Sequence, residues 1–232
     1  MDKDYLSLKK RLEETYDEPL ENMDTFFDKR IETYEEHMEK WKDYYSWMAS
    51  LIPEETKFLL DIGCGTGLEL DGIFKRFPLL SVTGIDLSKE MLSKLKKKHG
   101  DKNLHLINED YFTHDFGSNC FDVVISFETL HHFTQSKKED LFFKIHKCLK
   151  PGGVYLECDY IAKTQKIEDL VFSESQRRRA RDNIKQDIFV HFDTPLTLDH
   201  ELEAIKNGGF KTTELVGYLN NNENTAMIKA IK

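Results

Sequence analysis

The sequence predicts an α/β protein: a seven-stranded, mostly parallel sheet with helices on both faces, an antiparallel C-terminal hairpin, and a helical cap at the N-terminus. Three observations predict it. After Pro53, five short runs rich in Val, Ile and Leu alternate with helical patterns, and strand, helix, strand in repetition builds a parallel sheet covered on both sides. Two later apolar runs are parted by little more than AsnAsnGluAsn, the spacing of a hairpin. Before residue 52 the chain reads as helix alone. A length of 232 residues suits one such domain and is too short for two, so residues 1–50 are read as the cap and 51–232 as one structural unit.

The elements follow in order. Between 22 and 50, Met23, Phe26, Phe27, Ile31, Tyr34, Met38, Trp41, Tyr45 and Met48 recur every three or four residues, which is helical amphipathicity. That aromatic stripe packs on the domain or roofs a pocket. The runs 57–62, 80–85, 104–107, 121–126 and 153–158 are short and apolar, as strands buried on both faces are. Helical patterns fall at 66–76, 89–98 and 137–149, the last stopped by LysProGlyGly. After residue 160 the order loosens into a polar stretch, a helix near 197–207 ended by AsnGlyGly, and the two hairpin runs at 210–218 and 225–231.

Charge and cysteine usage narrow the function. The net charge is −9, and the first forty residues hold thirteen acidic against seven basic side chains. Such a surface repels a phosphate backbone, so no nucleic-acid partner is expected. The basic group Arg177, Arg178, Arg179 and Arg181 has Glu174 and Asp182 beside it and reads as a solvated helix face before an anion site. Cys64, Cys120, Cys148 and Cys158 show neither CxxC spacing nor a histidine partner at finger spacing. They read as free thiols in a reducing compartment, with no metal expected. No apolar run is long enough to span a membrane, and the charged N-terminus lacks the apolar segment of a signal peptide. A cytoplasmic protein without a membrane partner, monomeric or homodimeric, is expected.

The strongest chemical signal is AspIleGlyCysGlyThrGly, residues 61–67, where the first strand meets the first helix. Gly63, Gly65 and Gly67 let a ligand approach the backbone amides at a helix N-terminus. The third glycine comes one residue early for a dinucleotide fingerprint, and no lysine follows as a P-loop requires. Asp61 at the entrance opposes a pyrophosphate and suits a ligand bearing an ammonium and a sulfonium, as S-adenosylmethionine does. Asp86 closes the second strand, where an acid can accept both ribose hydroxyls; an N-cap of the next helix is an equal reading.

Through FLLDIGCGTG and GIDLSKEML, the chain resembles the class I S-adenosylmethionine-dependent methyltransferases, whose fold is a seven-stranded Rossmann-like sheet, from about residue 20 onward. The resemblance implies S-adenosylmethionine as cofactor and a small-molecule methyl acceptor as partner. It places the methionyl part on Asp61, Gly63, Gly65 and Gly67 and the ribose on Asp86. Adenine falls to Asp110 and Tyr111, flanked by Leu87 and Met91, with Phe127 behind the methionine. LysCysLeuLysProGlyGlyValTyr matches the family's helix, turn and fifth strand. The lead-in PhePheAspLysArgIleGluThrTyr resembles that of small-molecule methyltransferases, in which a tyrosine, here Tyr34, closes over the cofactor. Specificity in the family comes from the N-terminal helices and from insertions after the fifth strand, here 161–195.

Methyl transfer is an in-line displacement needing alignment and water exclusion, and a base only when the acceptor is protonated. His131 and His132 follow the fourth strand on the face where such sheets bind ligands, and His132 is the candidate base. His191 and Asp193 can face the same pocket, although Asp193 and Thr194 before Pro195 also read as turn chemistry. Neither the NPPY-type tetrapeptide of amino-methylating enzymes nor a Pro-Cys nucleophile occurs. Two alternatives stand beside methyl transfer. One is a relative that makes carboxy-S-adenosylmethionine, for whose added carboxylate Arg30 is the one candidate cation; the other is a catalytically silent cofactor-binding protein.

Overall fold

The computed structural model describes residues 3–220 and 222–232. Helices α1 (Lys3–Glu14), α2 (Met23–Arg30), α3 (Tyr34–Met38) and α4 (Lys42–Leu51) precede the sheet, with a 3-10 turn at Glu39–Trp41 before α4. Then come β1 (Phe58–Ile62), α5 (Leu68–Arg76), β2 (Ser81–Ile85), α6 (Lys89–His99), β3 (Leu104–Ile107), β4 (Phe121–Phe127), α7 (Gln135–Cys148) and β5 (Leu149–Tyr160). The chain continues through α8 (Gln165–Arg181), α9 (Leu198–Asn207), β6 (Thr212–Tyr218) and β7 (Thr225–Ile231).

The seven strands form one sheet in the order β3-β2-β1-β4-β5-β7-β6. The first five are parallel to one another, and β7 runs antiparallel between β5 and β6. The expected α/β architecture, with its C-terminal antiparallel pair, is the one observed. Strand alternation makes two cores: Leu59, Val123, Ile125 and Leu156 face α4, α5 and α6, while Leu60, Ile62, Val124 and Tyr155 face α7 and α9. The strand order reverses between β1 and β4, a switch point that opens a crevice above their carboxyl ends.

Two expectations need correction. The stripe over 22–50 is not one helix: it is broken at 31–33 and again at the 3-10 turn, giving α2, α3 and α4. The polar stretch after residue 160 contains the seventeen-residue α8. Its buried side carries Glu168, Ser175 and Arg178 beside Ile167 and Val171, so no clean apolar period marks it. Of the arginines of α8, Arg181 is exposed as a solvated face requires, but Arg178 is buried and all four bond within the chain. Arg178, only 4% exposed, donates to Thr15 Oγ1 at 2.8 Å, and Arg181 donates to the carbonyls of Tyr16 at 2.6 Å and Glu18 at 2.7 Å. Arg177 lies 3.6 Å over the Tyr16 ring. Together they fasten the chain after α1 to α8. A further bridge joins Asn22 to Val190, with Met23 N donating to Phe189 O and His191 N to Glu21 O.

Candidate active site

The loop after β1 is set by its backbone. Gly63, Gly65 and Gly67 have φ of 68°, 46° and 70°, the left-handed region where glycine carries no steric penalty. Gly63 N and Cys64 N both donate to Ile85 O, at 2.9 and 3.2 Å, which ties the loop to the end of β2. A side chain at Gly63 would meet Thr129 Oγ1 at 2.2 Å, and one at Gly67 would meet Leu95 Cδ1 at 2.3 Å. Gly67 thus serves the packing of α5 on α6, while Gly63 lies against the turn after β4.

Asp86 organises the mouth of this loop. Its Oδ2 accepts from Gly65 N at 2.9 Å and its Oδ1 from Ser88 N at 2.8 Å. The N-cap of α6 is Ser88, whose hydroxyl accepts from Met91 N, so the cap reading of Asp86 gives way. Asp61 is fully buried, and neither of its oxygens has a hydrogen-bond partner. Burial, followed by repulsion from Glu69, holds its carboxyl well above the usual range, and burial raises Glu69 as well. Burial also raises Asp86, against the amides of Ser88 and Gly65. Buried acids displaced in this direction are relieved by a cation.

A cleft of about 610 Å³, its open mouth included, lies at the switch point and is lined by Tyr34, Gly63, Gly65, Asp86, Leu87, Met91, Tyr111, Phe127 and His132 among others. Of the eleven residues expected to hold the cofactor and the candidate base His132, nine therefore meet around one cavity. Asp61, Gly67 and Asp110 do not line it. Asp110 turns its Oδ1 to Phe112 N at 2.8 Å, leaving Tyr111 to face the cleft. Tyr34 reaches over the loop: its hydroxyl would lie 3.5 Å from a side chain built on Gly65. The stretch carrying it is pinned by Ser88 Oγ on Asp28 at 2.6 Å and by Lys94 Nζ on Ile31 O.

Sequence reasoning missed Glu128, which lines the same cleft. It is a non-glycine residue at φ 47°, held there as its N–H donates to Cys158 O at 2.8 Å. Backbone strain of this kind, about 1–3 kcal/mol, gathers at functional sites. Its Oε1 is buried without a partner. Burial above all, with the charges of Asp159 and Asp193 opposing His131, pushes its carboxyl up to about 8. The acid directly after β4 was the available signal.

The two histidines differ. Burial works against a charge on His131, yet Asp159, 2.6 Å from its Nδ1, outweighs it, and the imidazole is pushed up to about 9. His132 is lowered to about 3 by burial and by the charge of His131, and its Nδ1 has no hydrogen-bond partner. His191 stacks on Phe26 with ring centroids 3.4 Å apart. It lines, with Asp193 and Arg30, a second cavity beneath α1 instead of the cofactor cleft. Arg30 is held there by Glu21 at 2.9 Å and by the Phe26 ring.

A doubly wound sheet with a glycine loop and a strand-end acid at its switch point defines the class, an α/β fold of the Rossmann-like kind. Residues 59–153 match a family described as a methyltransferase domain; the match runs from β1 into β5 and takes in the glycine loop and the strand-end acid. It is 25% identical over 217 residues to carboxy-S-adenosyl-L-methionine synthase of Nautilia profundicola, covering 85% of this chain and 86% of that one. To malonyl-(acyl-carrier protein) O-methyltransferase 2 of Ilyobacter polytropus it is 33% identical over 133 residues, 56% of this chain and 50% of the relative. The structure of an O-methyltransferase family protein from Burkholderia thailandensis superposes with a TM-score of 0.64 at 14% identity, over 87% of this chain and 59% of that one. The chain thus spans little more than half the length of that solved structure and half of the malonyl relative. No helix among the described residues is long and apolar enough to cross a membrane.

Proposed function

We propose that this cleft holds S-adenosylmethionine and delivers its methyl group to a small-molecule acceptor. One observation carries the reading: Gly63, Gly65, Asp86, Leu87, Met91, Tyr111, Phe127 and Tyr34 converge on a single cavity at the switch point. Asp86 would take the ribose hydroxyls and Leu87 and Met91 would flank the adenine. The methionyl end would lie along the glycine loop, above the unpartnered Asp61. When bound, the cofactor supplies a methyl carbon activated by the sulfonium. The chain orients it, and Tyr34 with the stretch from α2 to α3 excludes water. His132 lines the same cleft as Phe127 and would take a proton from an acceptor that carries one.

The charge of the cleft bears on the alternative. Its lining holds Asp24, Asp86 and Glu128 and neither lysine nor arginine, a surround that suits the plain sulfonium better than a cofactor with an added carboxylate. Arg30, the cation that reading needs, is spent on Glu21. Four free thiols among the described residues support a reducing compartment, the cytoplasm; the acidic surface supports a partner other than nucleic acid, and a monomer or homodimer is proposed. Incubation of the purified chain with methyl-labelled S-adenosylmethionine and a metabolite extract tests the function. Label in an organic product supports it, and label retained wholly on the cofactor, with S-adenosylhomocysteine bound, makes the chain a silent binder.

A further inference from the structure

His131 Nε2 and His132 Nδ1 stand 3.6 and 3.5 Å from the same atom, Asp193 Oδ1. The three donor atoms all lie within 4.8 Å of one another. Both separations to Asp193 exceed hydrogen-bond contact. They come close to the edge of a ligand tetrahedron, roughly 3.4 Å for donors at about 2.0–2.1 Å from zinc.

Two independent features point to a ligand between them. His132 Nδ1 is a buried imidazole nitrogen without a partner, on a side chain 3% exposed, and it is aimed at Asp193. His131 is oriented as metal-bound histidines are: its Nδ1 is 2.6 Å from Asp159 Oδ1, and Asp159 is itself fixed by Leu130 N on Oδ2 at 3.0 Å. That outer carboxylate turns Nε2 toward Asp193. Glu128, with its own unpartnered Oε1, lies within the same range of His131 and Asp159.

We propose that His131, His132 and Asp193 bind one divalent transition-metal ion, zinc by the chemistry of two imidazoles and a carboxylate, with one position left open to the acceptor. The ion's purpose rests on the methyl-transfer reading, though its geometry does not. His132 lines the cofactor cleft and Asp193 the cavity beneath α1, so the open position lies in the wall between them, where an acceptor hydroxyl or thiol can meet the methyl group. With its Nδ1 on the ion, His132 no longer serves as the base; the ion takes over that role by favouring loss of the group's proton to solvent. The freed lone pair then bonds to the methyl carbon, and the broken carbon–sulfur pair stays on sulfur as S-adenosylhomocysteine.

The test uses the purified full chain, stripped with EDTA, loaded with zinc sulfate and desalted before elemental analysis. One equivalent of zinc is expected, falling at least tenfold in His132→Ala and in Asp193→Asn and unchanged in His114→Ala, a histidine paired elsewhere with Glu109. Cobalt in place of zinc should give the visible absorption of a tetrahedral site in the wild type alone. Because the variants can misfold, X-ray absorption at the zinc edge of the wild type stands as a second measurement, with an imidazole and oxygen shell expected. Zinc absent from the wild type, a sulfur shell, or retention by both variants overturns the proposal. Calorimetry with S-adenosylhomocysteine on the stripped protein reports separately on the cofactor reading, since that cleft binds without the ion.

Discussion

Asp86 accepts two backbone amides, those of Gly65 and Ser88, and so shapes the loop it shares with the ligand. Replacing it by alanine strands ribose hydroxyls and frees Gly65 N. S-adenosylmethionine affinity in Asp86→Ala should fall by about 1–3 kcal/mol; titration calorimetry showing a change within twofold would reduce the residue to a loop brace. His132 is the matching prediction on the acceptor side. His132→Ala should lower turnover by roughly 10²–10⁴ for an acceptor that must lose a proton, and leave cofactor affinity nearly intact. A parallel loss of stability and cofactor binding, without selective loss of turnover, marks it as structural. The two residues also divide what was legible. Asp86 and the glycines are readable because loop chemistry is local. The meeting of His131, Asp159 and Asp193 is not, because the partners lie 28 and 62 residues away along the chain, Asp159 brought in by β5 and Asp193 by the Thr194 N–H on His131 O. Glu128 escaped for a related reason: its left-handed backbone is imposed by Cys158 on the neighbouring strand.

At the scale of elements, the strands were legible because burial on both faces leaves an uninterrupted apolar run. Helix α8 was not, because its inner face is satisfied by polar partners: Glu168 accepts from Thr197 N and faces His200 Nδ1 at 2.7 Å. The break at 31–33 was hidden because Ile31 and Tyr34 keep the apolar stripe in phase across a turn with no Gly or Pro. The stretch from α2 to α3 is anchored at the Asn22–Val190 bridge and at α4, and between them it covers the cleft through Phe27 and Tyr34. Amide exchange over 24–41 should slow when S-adenosylhomocysteine binds, while α4, whose Met48 is wholly buried, stays protected throughout. Equal exchange with and without ligand would make the stretch fixed core. Asp182 holds the start of this cover: its Oδ2 accepts from Leu20 N, and Arg181 first, then Leu20 N, bring its carboxyl down to about 2. A depressed carboxyl contributes stability that is full above its unfolded value near 4 and is lost as pH falls through about 2. Thermal midpoints between pH 4 and 2 should therefore decline less in Asp182→Asn than in the wild type, and identical slopes would discount the contact.

For the whole molecule, one lysine organises the interior on the α7 side. Lys138 and Glu201 are both fully buried and hydrogen-bonded to each other, with Glu157, also fully buried, left without a partner. Burial disfavours the charge on Lys138, but Glu201 and then Asp159 and Glu157 keep it protonated. Removing that cation leaves carboxyls buried together. Lys138→Met should cost about 3–5 kcal/mol, while Lys138→Met with Glu201→Leu should recover most of it. Urea midpoints at constant slope measure both, and a single variant as stable as the wild type would mean that Glu201 is neutral in the fold.

Strand β7 lies inside the sheet, paired to β5 on one side and β6 on the other, although it is read from the message after every other strand. Parallel pairing among β1 to β5 can precede it, but Met227, Ile228 and Ala230, all fully buried, are required before either core is closed. Until β7 is in place, the β5 edge stands open to any extended chain nearby. Closure of the sheet therefore waits on the seventh strand in chain order, and a chain in which β7 is detached exposes an interior edge that one with its last strand at a sheet margin would keep covered.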